Sequence, residues 1–426
     1  MPTRLDNAWC RQQFPALERQ VDGGAAVYFD GPAGSQVPSC VIEAVTNYLT
    51  HTNANSGGVF ATSLESEAVV EQAHATAAEF LGVDDPGEVI FGQNMTTLTF
   101  QLARSLGSTW RAGDEIVLTQ LEHDANRAPW ERAAAASGAT VRTLPVRLQD
   151  CTLDLDALGG LLSERTRLVA VACASNAVGT VPPLHRIVEM AHSVGAEVFL
   201  DAVHFAPHAL LDVAGWDCDY LACSPYKFFG PHVGILWGRR HRLEELPVEK
   251  VRPAPDTLPW RWVAGTPSYE GMVGAAAAMD YLASVGRHAM EPHGDGKARR
   301  AHEVSPQREA LRTAFEVIGE YERTLLRRLL EGLRERPQIR VWGITDEARF
   351  NERVPTVSFT HTTRTAAEIA AHLAARGIFC WSGNFYAVHL TEALDLEPHG
   401  VVRIGILHYN TSQEIERLLE AIDALD

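Results

Sequence analysis

Between about residues 65 and 240, short runs of apolar and β-branched residues alternate with amphipathic stretches at helical spacing. This alternation is typical of a parallel sheet with helices on its faces. The pattern predicts seven strands, at residues 88–91, 115–119, 140–145, 168–173, 197–200, 220–222 and 234–237. Between them it predicts helices that include 63–81, 97–106 and 184–193. We therefore expect an α/β domain built on a mostly parallel seven-stranded sheet.

A different pattern follows the sheet region. Residues 290–305 are polar, rich in His, Gly, Lys and Arg, and without periodicity, which indicates an exposed linker. Beyond it, a smaller α+β unit is predicted by helices at 308–334, 366–376 and 412–424 and by strands near 340–342 and 356–359. We expect a large domain at residues 25–288. The small domain combines 289–426 with an N-terminal segment, 1–24, that packs against it.

Composition narrows the class of protein. The chain has 426 residues, 46% of them hydrophobic, which is enough to bury the cores of two domains. Its 37 basic and 54 acidic residues give a net charge of −17, which argues against nucleic acid as a partner. No apolar run is long enough to cross a membrane, and the N-terminus lacks the apolar region of a signal peptide. We expect a cytoplasmic protein that does not contact membranes.

Cysteine usage indicates neither disulfides nor a metal site. The seven cysteines are scattered, and no two form a C-x-x-C pair. We expect most of them to be small buried apolar residues. They are Cys10, Cys40, Cys151, Cys173, Cys218, Cys223 and Cys380.

Polar clusters follow several predicted strands, and the carboxyl ends of strands are where open α/β sheets bind ligands. Lys227 lies in the apolar segment Ser-Pro-Tyr-Lys-Phe-Phe-Gly-Pro. Apolar surroundings disfavour the ammonium form, so its amine could attack a carbonyl and form a Schiff base; a surface lysine is the alternative. Asp201 ends a buried strand, where a carboxylate could keep a pyridine nitrogen protonated or simply cap the next helix.

Residues 89–97 pass from a strand through Gly92 into a helix. Amides and hydroxyls at a helix N-terminus form a natural phosphate site. The segment is not the dinucleotide fingerprint G-x-G-x-x-G, and no Walker lysine is present.

Seven segments, in order along the chain, together resemble the cysteine desulfurase and selenocysteine lyase group of the class V aminotransferases. The resemblance runs from about Tyr28 to the C-terminus and implies the fold of type I pyridoxal-phosphate (PLP)-dependent transferases. The segments are Gly92-Gln93-Asn94, Glu122-His123-Asp124-Ala125-Asn126, Ser175-Asn176-Ala177-Val178-Gly179-Thr180, Asp201-Ala202-Val203-His204, Ser224-Pro225-Tyr226-Lys227, Ala264-Gly265-Thr266-Pro267 and 403–411.

The resemblance implies that PLP is the cofactor and that Lys227 holds it as a Schiff base. His123 resembles the imidazole that stacks on the cofactor ring and moves protons. Asn176 resembles the amide that binds the phenolic oxygen, and Asp201 resembles the carboxylate that pairs with the pyridinium. His204 replaces the glutamine usual three residues after that aspartate, so it still offers a hydrogen bond but adds a titratable group.

Four residues resemble ligands of the cofactor phosphate. Ser224 matches the family pattern, whereas Tyr226 stands where histidine usually precedes the lysine. Gln93 and Asn94 stand where the family often has two threonines, and both can donate hydrogen bonds.

The resemblance also implies a homodimer. Gly265 and Thr266 are similar to the loop that reaches the phosphate of the neighbouring subunit in family dimers, although a plain turn is the alternative.

Arg403 resembles the arginine that binds the substrate carboxylate, which suits an L-amino acid; a surface ion pair is the alternative. Asn55 lies in a segment where the family often has an arginine, and we assign it to the substrate site.

True cysteine desulfurases carry a nucleophilic cysteine on a loop late in the chain, but alignment on the glycines puts Tyr386 at that position. Cys380 falls six residues earlier, in an apparent strand, so we expect an inert thiol and assign Tyr386 to the substrate site.

These features favour a PLP enzyme that acts through a carbanion at the Cα of an L-amino acid. In this mechanism Lys227 removes the proton and Asp201 keeps the ring cationic. We expect a cysteine desulfurase-like C–S β-lyase without a persulfide-carrying cysteine, which makes a sulfur-acceptor protein doubtful. An epimerase or decarboxylase like isopenicillin epimerase is the alternative enzyme, and a non-catalytic PLP-binding regulator is the alternative from another class.

Overall fold

A computed structural model describes residues 4–21, 23–291 and 305–425. Its largest sheet has the order β1-β7-β6-β5-β4-β2-β3, and every strand is parallel to the others except β7, which runs antiparallel to β1 and β6. The strands are β1 Val89–Gly92, β2 Glu115–Thr119, β3 Thr140–Leu144, β4 Thr166–Ala172, β5 Glu197–Asp201, β6 Tyr220–Cys223 and β7 Gly234–Gly238. The predicted mostly parallel, seven-stranded sheet is confirmed, with each strand within two residues of its expected bounds.

The central strands are buried on both faces, as their unbroken apolar runs predict. Leu168 and Val171 of β4 and Phe199 of β5 have no exposed surface. Helices connect and cover the strands. In this part of the chain they are Ser39–Asn47, Ala61–Leu81, Met95–Gly107, Ala128–Ser137, Leu155–Leu161, Leu184–His192, Val213–Trp216, Arg240–Glu245 and Tyr269–Met290.

The C-terminal part contains a four-stranded antiparallel sheet with the order β8-β9-β11-β10. Its strands are β8 Ile339–Trp342, β9 Thr356–His361, β10 Trp381–Gly383 and β11 Val401–Gly405. Its helices are Pro306–Arg334, Ala366–Ala374, Val388–Ala393 and Ser412–Asp423. This arrangement agrees with the α+β pattern of the sequence. None of the helices in the described ranges is long and apolar enough to span a membrane.

The N-terminal segment contacts the C-terminal part of the chain. Asn7, in the helix Asn7–Gln12, donates a hydrogen bond to the carbonyl oxygen of His408 at 2.8 Å. The short strand Val27–Tyr28 pairs in parallel with Ile378–Phe379. Further short strands lie at Gln20–Val21, Gly24–Ala25, Val146–Arg147 and Thr152–Leu153. The assignment of residues 1–24 and 289–426 to one small domain, and of 25–288 to a large one, stays a prediction.

The predicted linker at 290–305 lies mostly outside the described residues. The helices on either side of it, Tyr269–Met290 and Pro306–Arg334, pack closely where Gly286 faces the backbone of Ala310. A Cβ atom at Gly286 would overlap the carbonyl oxygen of Ala310. The absence of a side chain at Gly286 therefore sets the separation of the two helices.

This contact predicts opposite effects for two glycine substitutions in the helix pair. Gly286→Ala should lower the free energy of unfolding by about 1–3 kcal/mol, because backbone atoms of the neighbouring helix cannot move aside cheaply. Gly319→Ala is the matched control, since its Cβ would meet only the end of the Arg323 side chain. It should stabilise the helix by about 0.5–1 kcal/mol. Urea unfolding followed by circular dichroism measures both, and equal effects at the two sites would contradict the packing described.

Candidate active site

One cavity of about 460 Å³ opens at the carboxyl ends of the central strands. His123 follows β2, Asn176 follows β4, Asp201 ends β5 and Lys227 follows β6. Arg403 reaches the same cavity from β11. The residues that line it are Pro32, Ala33, Asn94, Met95, Thr96, His123, Ala125, Ala172, Ala174, Asn176, Asp201, Val203, His204, Ser224, Tyr226, Lys227, Trp381, Ser382, Gly383, Asn384, Phe385, Tyr386 and Arg403. Ten of the residues predicted for the site therefore lie together.

Lys227 is held at one wall of the cavity. Its Nζ donates a hydrogen bond to the carbonyl oxygen of Pro32 and lies 4.8 Å from the centre of the Tyr226 ring. Burial and, to a smaller extent, the positive charge of Arg403 together lower the pKa of Lys227 to about 7, against the opposing effect of Asp201. The amine is therefore largely uncharged just above neutral pH, which makes it a nucleophile and a base.

Two buried carboxyl groups lie on the sheet side of the site. Asp201 is 5% exposed and accepts a hydrogen bond from the backbone N–H of Val203 at 2.9 Å, and burial raises its pKa to about 6. Glu122 accepts hydrogen bonds from Thr119 Oγ1 at 2.7 Å and Asn126 Nδ2 at 2.6 Å. Burial, with a smaller effect from the charge of Asp201, raises the pKa of Glu122 to about 7 against the lowering effect of its hydrogen bonds. Glu122 was assigned no role from its sequence pattern, although its position beside His123 is a signal that could have identified it.

His123 is fixed in one orientation. Its Nδ1 accepts a hydrogen bond from the backbone N–H of Ala125 at 2.9 Å, so in the neutral ring the proton is on Nε2. Burial lowers the pKa of His123 to about 4, with Lys227 and Arg403 adding to the effect. The imidazole is thus neutral at physiological pH.

Asn176 and His204 each keep one buried polar atom without a partner among the described residues, namely Asn176 Oδ1 and His204 Nδ1. Their other groups are occupied: Asn176 Nδ2 donates to the carbonyl oxygen of Phe385 at 2.8 Å, and His204 Nε2 pairs with Thr356 Oγ1 at 2.9 Å. A buried polar atom without a partner is costly. Both residues line the cavity, so these atoms are suited to bind a polar ligand there.

The N-terminus of the helix Met95–Gly107 also lines the cavity. Asn94 caps this helix, since its Oδ1 accepts a hydrogen bond from the backbone N–H of Thr97 at 2.8 Å. Ser224 Oγ accepts a hydrogen bond from the backbone N–H of Met95 at 3.3 Å. Thr96 lines the cavity although the sequence analysis did not single it out, whereas Gln93 is exposed and does not line it. The predicted residues Asn94 and Ser224 therefore lie at this helix N-terminus together with Thr96, whereas Gln93 does not, and the phosphate-binding role of this end of the helix stays a prediction.

Arg403 is 4% exposed and is held from two sides. Its Nη1 donates to the carbonyl oxygen of Asn176 at 2.9 Å, and its guanidinium carbon lies 3.8 Å from the centre of the Phe385 ring. Burial lowers the pKa of Arg403 to about 9, against the effects of Asp30 and Tyr226. Asp30, whose backbone bridges to Gly405, has one buried carboxylate oxygen without a partner in the described part of the chain.

The segment from Trp381 to Ala387 covers the cavity and is tightly held. Phe385 and Tyr386 adopt positive φ angles of 55° and 59°. The carbonyl oxygen of Tyr386 accepts a hydrogen bond from the backbone N–H of Asp124 at 2.8 Å, and Gly400 packs directly on the backbone of Gly383. The Tyr386 side chain is 68% exposed, and its ring centre lies 5.4 Å from that of His123.

None of the seven cysteines, all of which are described, lines the cavity. Cys380 lies between the strand Ile378–Phe379 and β10, and burial raises its pKa to about 12. Cys223 has no exposed surface, and burial raises its pKa as well. Both thiols are therefore protonated at neutral pH, which makes them poor nucleophiles.

Three other predicted residues do not line the cavity. Asn55 is exposed, and its carbonyl oxygen accepts a hydrogen bond from Ser63 Oγ at 2.6 Å. Gly265 and Thr266 are exposed, and neither lines the cavity. Their assigned roles stay predictions.

The cavity fits PLP by the chemistry of its donors. The helix N-terminus with Ser224 suits a phosphate, Asp201 suits a protonated ring nitrogen, and Lys227 suits an aldehyde. Asn176 and His204, which each keep one unpartnered polar atom, line the same cavity.

Known proteins resemble this chain over nearly its whole length. The family model described as aminotransferase class-V matches residues 27–314 and 308–418. A cysteine desulfurase of Cronobacter sakazakii is 31% identical over 427 residues, which cover 97% of this chain and 96% of the relative. The crystal structure of the cysteine desulfurase CsdA (S-sulfonic acid) from Escherichia coli has a TM-score of 0.81 and 27% identity, with 98% of each chain covered. The apo cysteine desulfurase of Thermococcus onnurineus NA1 has a TM-score of 0.85 and 25% identity, covering 99% of this chain and 98% of the other.

The architecture is therefore the α/β fold of type I PLP-dependent transferases. The chain belongs to the class V aminotransferase family and is a cysteine desulfurase-like PLP-dependent enzyme.

Proposed function

We propose that this enzyme is a C–S β-lyase, which breaks the bond between Cβ and sulfur of an L-amino acid and releases the sulfur without loading it on a cysteine of its own. The observation that carries this proposal is that none of the seven cysteines lines the cavity, whereas the exposed Tyr386 does. Transfer of sulfur to the protein needs a thiolate near the substrate. A phenol cannot form a persulfide.

When bound, PLP supplies an electron sink that stabilises negative charge at the substrate Cα. The side chains assigned to hold it are Lys227, Asp201, His204, Asn176 and Ser224, together with the helix N-terminus at Met95. The uncharged amine of Lys227 is the base that takes the Cα proton. Asp201, at the end of β5, provides the negative charge that keeps a ring nitrogen protonated.

Arg403 would bind the substrate carboxylate. Its contacts with Asn176 and Phe385 leave little freedom for the guanidinium, so the carboxylate meets a group that is already oriented. The departing sulfur needs a proton on the side of the cavity open to solvent. The Tyr386 hydroxyl and the Nε2–H of His123, whose rings lie 5.4 Å apart in the lining of the cavity, are suited to supply it.

We also propose that the active form is a homodimer. Five large apolar side chains between residues 42 and 64 are exposed: Ile42, Leu49, Val59, Phe60 and Leu64. Large apolar side chains left exposed in one stretch of the chain are typical of a protein interface. Gly265 and Thr266 do not line the cavity of their own chain, which leaves them free to reach that of a second copy.

The lowered pKa of Lys227 predicts how covalent loading with PLP depends on pH. Because only the uncharged amine attacks an aldehyde, the rate of attachment to the apoenzyme should rise up to about pH 7 and then level off. The readout is the yellow absorbance that borohydride removes, and Lys227→Ala should give no reducible adduct at any pH. A rate that keeps rising toward the pKa of a solvated lysine, about 10.4, would contradict the buried site.

The proposed function predicts that no cysteine carries sulfur during turnover. Cys380→Ala and Cys223→Ala should each keep most of the wild-type rate with L-cysteine, because both thiols are buried, protonated and outside the cavity. Alkylation after turnover, followed by mass spectrometry, should find no persulfide. A stoichiometric persulfide on either residue, with loss of activity in the matching variant, would restore a desulfurase. Deuterium exchange at Cα without sulfur release would favour an epimerase instead.

The dimer can be tested at its proposed apolar surface. Sedimentation equilibrium at micromolar concentration should give twice the chain mass of 46.6 kDa. Phe60→Glu should shift the equilibrium toward monomer, since a charge buried in an apolar interface is costly. Leu148→Glu is the control, because Leu148 is equally apolar and exposed but lies outside the 42–64 surface. A wild-type protein that is only monomeric would rule out the shared site.

A further inference from the structure

The mouth of the active-site cavity is aromatic. Trp381 and Tyr386 both line it, and their side chains are 54% and 68% exposed. Large aromatic side chains left exposed at the opening of a concave site lose that exposure when a ligand packs against them. The opening is therefore suited to an apolar part of the substrate.

The backbone sets the positions of the Trp381 and Tyr386 rings relative to Arg403 and His123. Trp381 of β10 is the direct antiparallel partner of Arg403 in β11, so the two side chains project from the same face of the sheet. Tyr386 lies beside His123, with its backbone fixed by the hydrogen bond from Asp124. A substrate whose carboxylate binds Arg403 would therefore place the rest of its side chain close to Trp381 at the opening.

The charged side chains that line the cavity also favour an apolar group on the substrate. Its ionisable side chains, the tyrosines aside, are Asp201, Lys227, Arg403, His123 and His204, and the proposed function assigns every one of them to the cofactor, the Cα proton, the leaving group or the substrate carboxylate. A sulfinate or a second amino-acid unit on Cβ would find no further charged partner in this cavity. Desolvating such a charge without a partner is costly.

We propose that the substrates are L-cysteine S-conjugates in which the sulfur carries a neutral apolar group, preferably aromatic, that packs against Trp381 and Tyr386. This inference rests on the proposed β-lyase function and names its substrate class. The substrate R–S–CH2–CH(NH3+)–COO− reacts with water to give the thiol R–SH, pyruvate and NH4+. The Cα–H and Cβ–S bonds break, the electron pair of the C–S bond leaves with sulfur, and the thiolate takes a proton. Hydrolysis of the resulting enamine gives pyruvate and NH4+, and no external oxidant or reductant is needed.

Binding and turnover are measured separately, so that the aromatic substrate site and the β-lyase function are tested independently. Absorbance titration of the holoenzyme compares L-homophenylalanine, the carbon analogue of S-phenyl-L-cysteine that cannot eliminate, with L-alanine. Homophenylalanine should bind at least about tenfold more tightly, and Trp381→Ala should remove about tenfold of its affinity while changing that of L-alanine less than about twofold. Trp381→Phe should restore most of the loss. Leu148→Ala, an exposed apolar residue outside the cavity, should have no effect.

Turnover of S-phenyl-L-cysteine is followed by release of thiophenol and pyruvate, and its kcat/KM should exceed that of L-cysteine. Equal affinity for the two analogues, or equal losses for both in Trp381→Ala, would overturn the aromatic substrate site. Tight homophenylalanine binding without thiophenol release from S-phenyl-L-cysteine would support the aromatic site and reject the lyase function. Far-ultraviolet circular dichroism checks that each variant is folded.

Discussion

The burial of two basic side chains, Lys227 and Arg403, in one cavity is the constraint on which the rest of this site depends. Removal from water lowers the pKa of each of them, to about 7 and about 9, and raises the pKa of the nearby Asp201 and Asp30 carboxyls to about 6. A bound phosphate and a bound carboxylate would stabilise the charged forms of Lys227 and Arg403. The cavity is therefore suited to an anionic cofactor and an amino acid. Lys227 and Asp201 come from the seven-stranded sheet, whereas Arg403 and Asp30 belong to the smaller one or to its edge. The cavity therefore exists only when the two sheets meet.

The pattern of apolar and polar residues along the chain was enough to predict the strands of the large sheet and several residues at their carboxyl ends. Unbroken apolar runs such as 168–171 specify strands that are buried on both faces, and a polar residue directly after such a run, as at Asp201, must lie at the carboxyl edge. The roles of Thr96, Phe385 and Asp30 were missed because they arise from contacts between segments far apart in the chain. Phe385, for example, matters through its ring on Arg403, and no spacing within its own segment shows that contact.

The segment from Trp381 to Ala387 distinguishes this chain from the pattern of a cysteine desulfurase. Its hydrogen bonds from Asp124 and Asn176, and the close contact of Gly400 with Gly383, hold it over the cavity. A nucleophile that delivers sulfur to a partner must move away from the active site, whereas a fixed wall is suited to orienting a substrate and a proton donor. The absence of a thiol and the restraint of the backbone are thus consistent with release of the sulfur product directly from the cavity.

The carbon product of L-cysteine turnover tests the central claim most directly. Transfer of sulfur to a protein thiol converts cysteine into alanine, because the carbon skeleton keeps its nitrogen and gains a proton at Cβ. Elimination instead gives pyruvate, ammonium and sulfide, because the Cα–Cβ double bond formed on loss of sulfur hydrolyses. Carbon-13 NMR of a reaction with labelled L-cysteine separates the two outcomes without a coupled assay. The account predicts pyruvate in equal amount to sulfide, and alanine as the main product would contradict it.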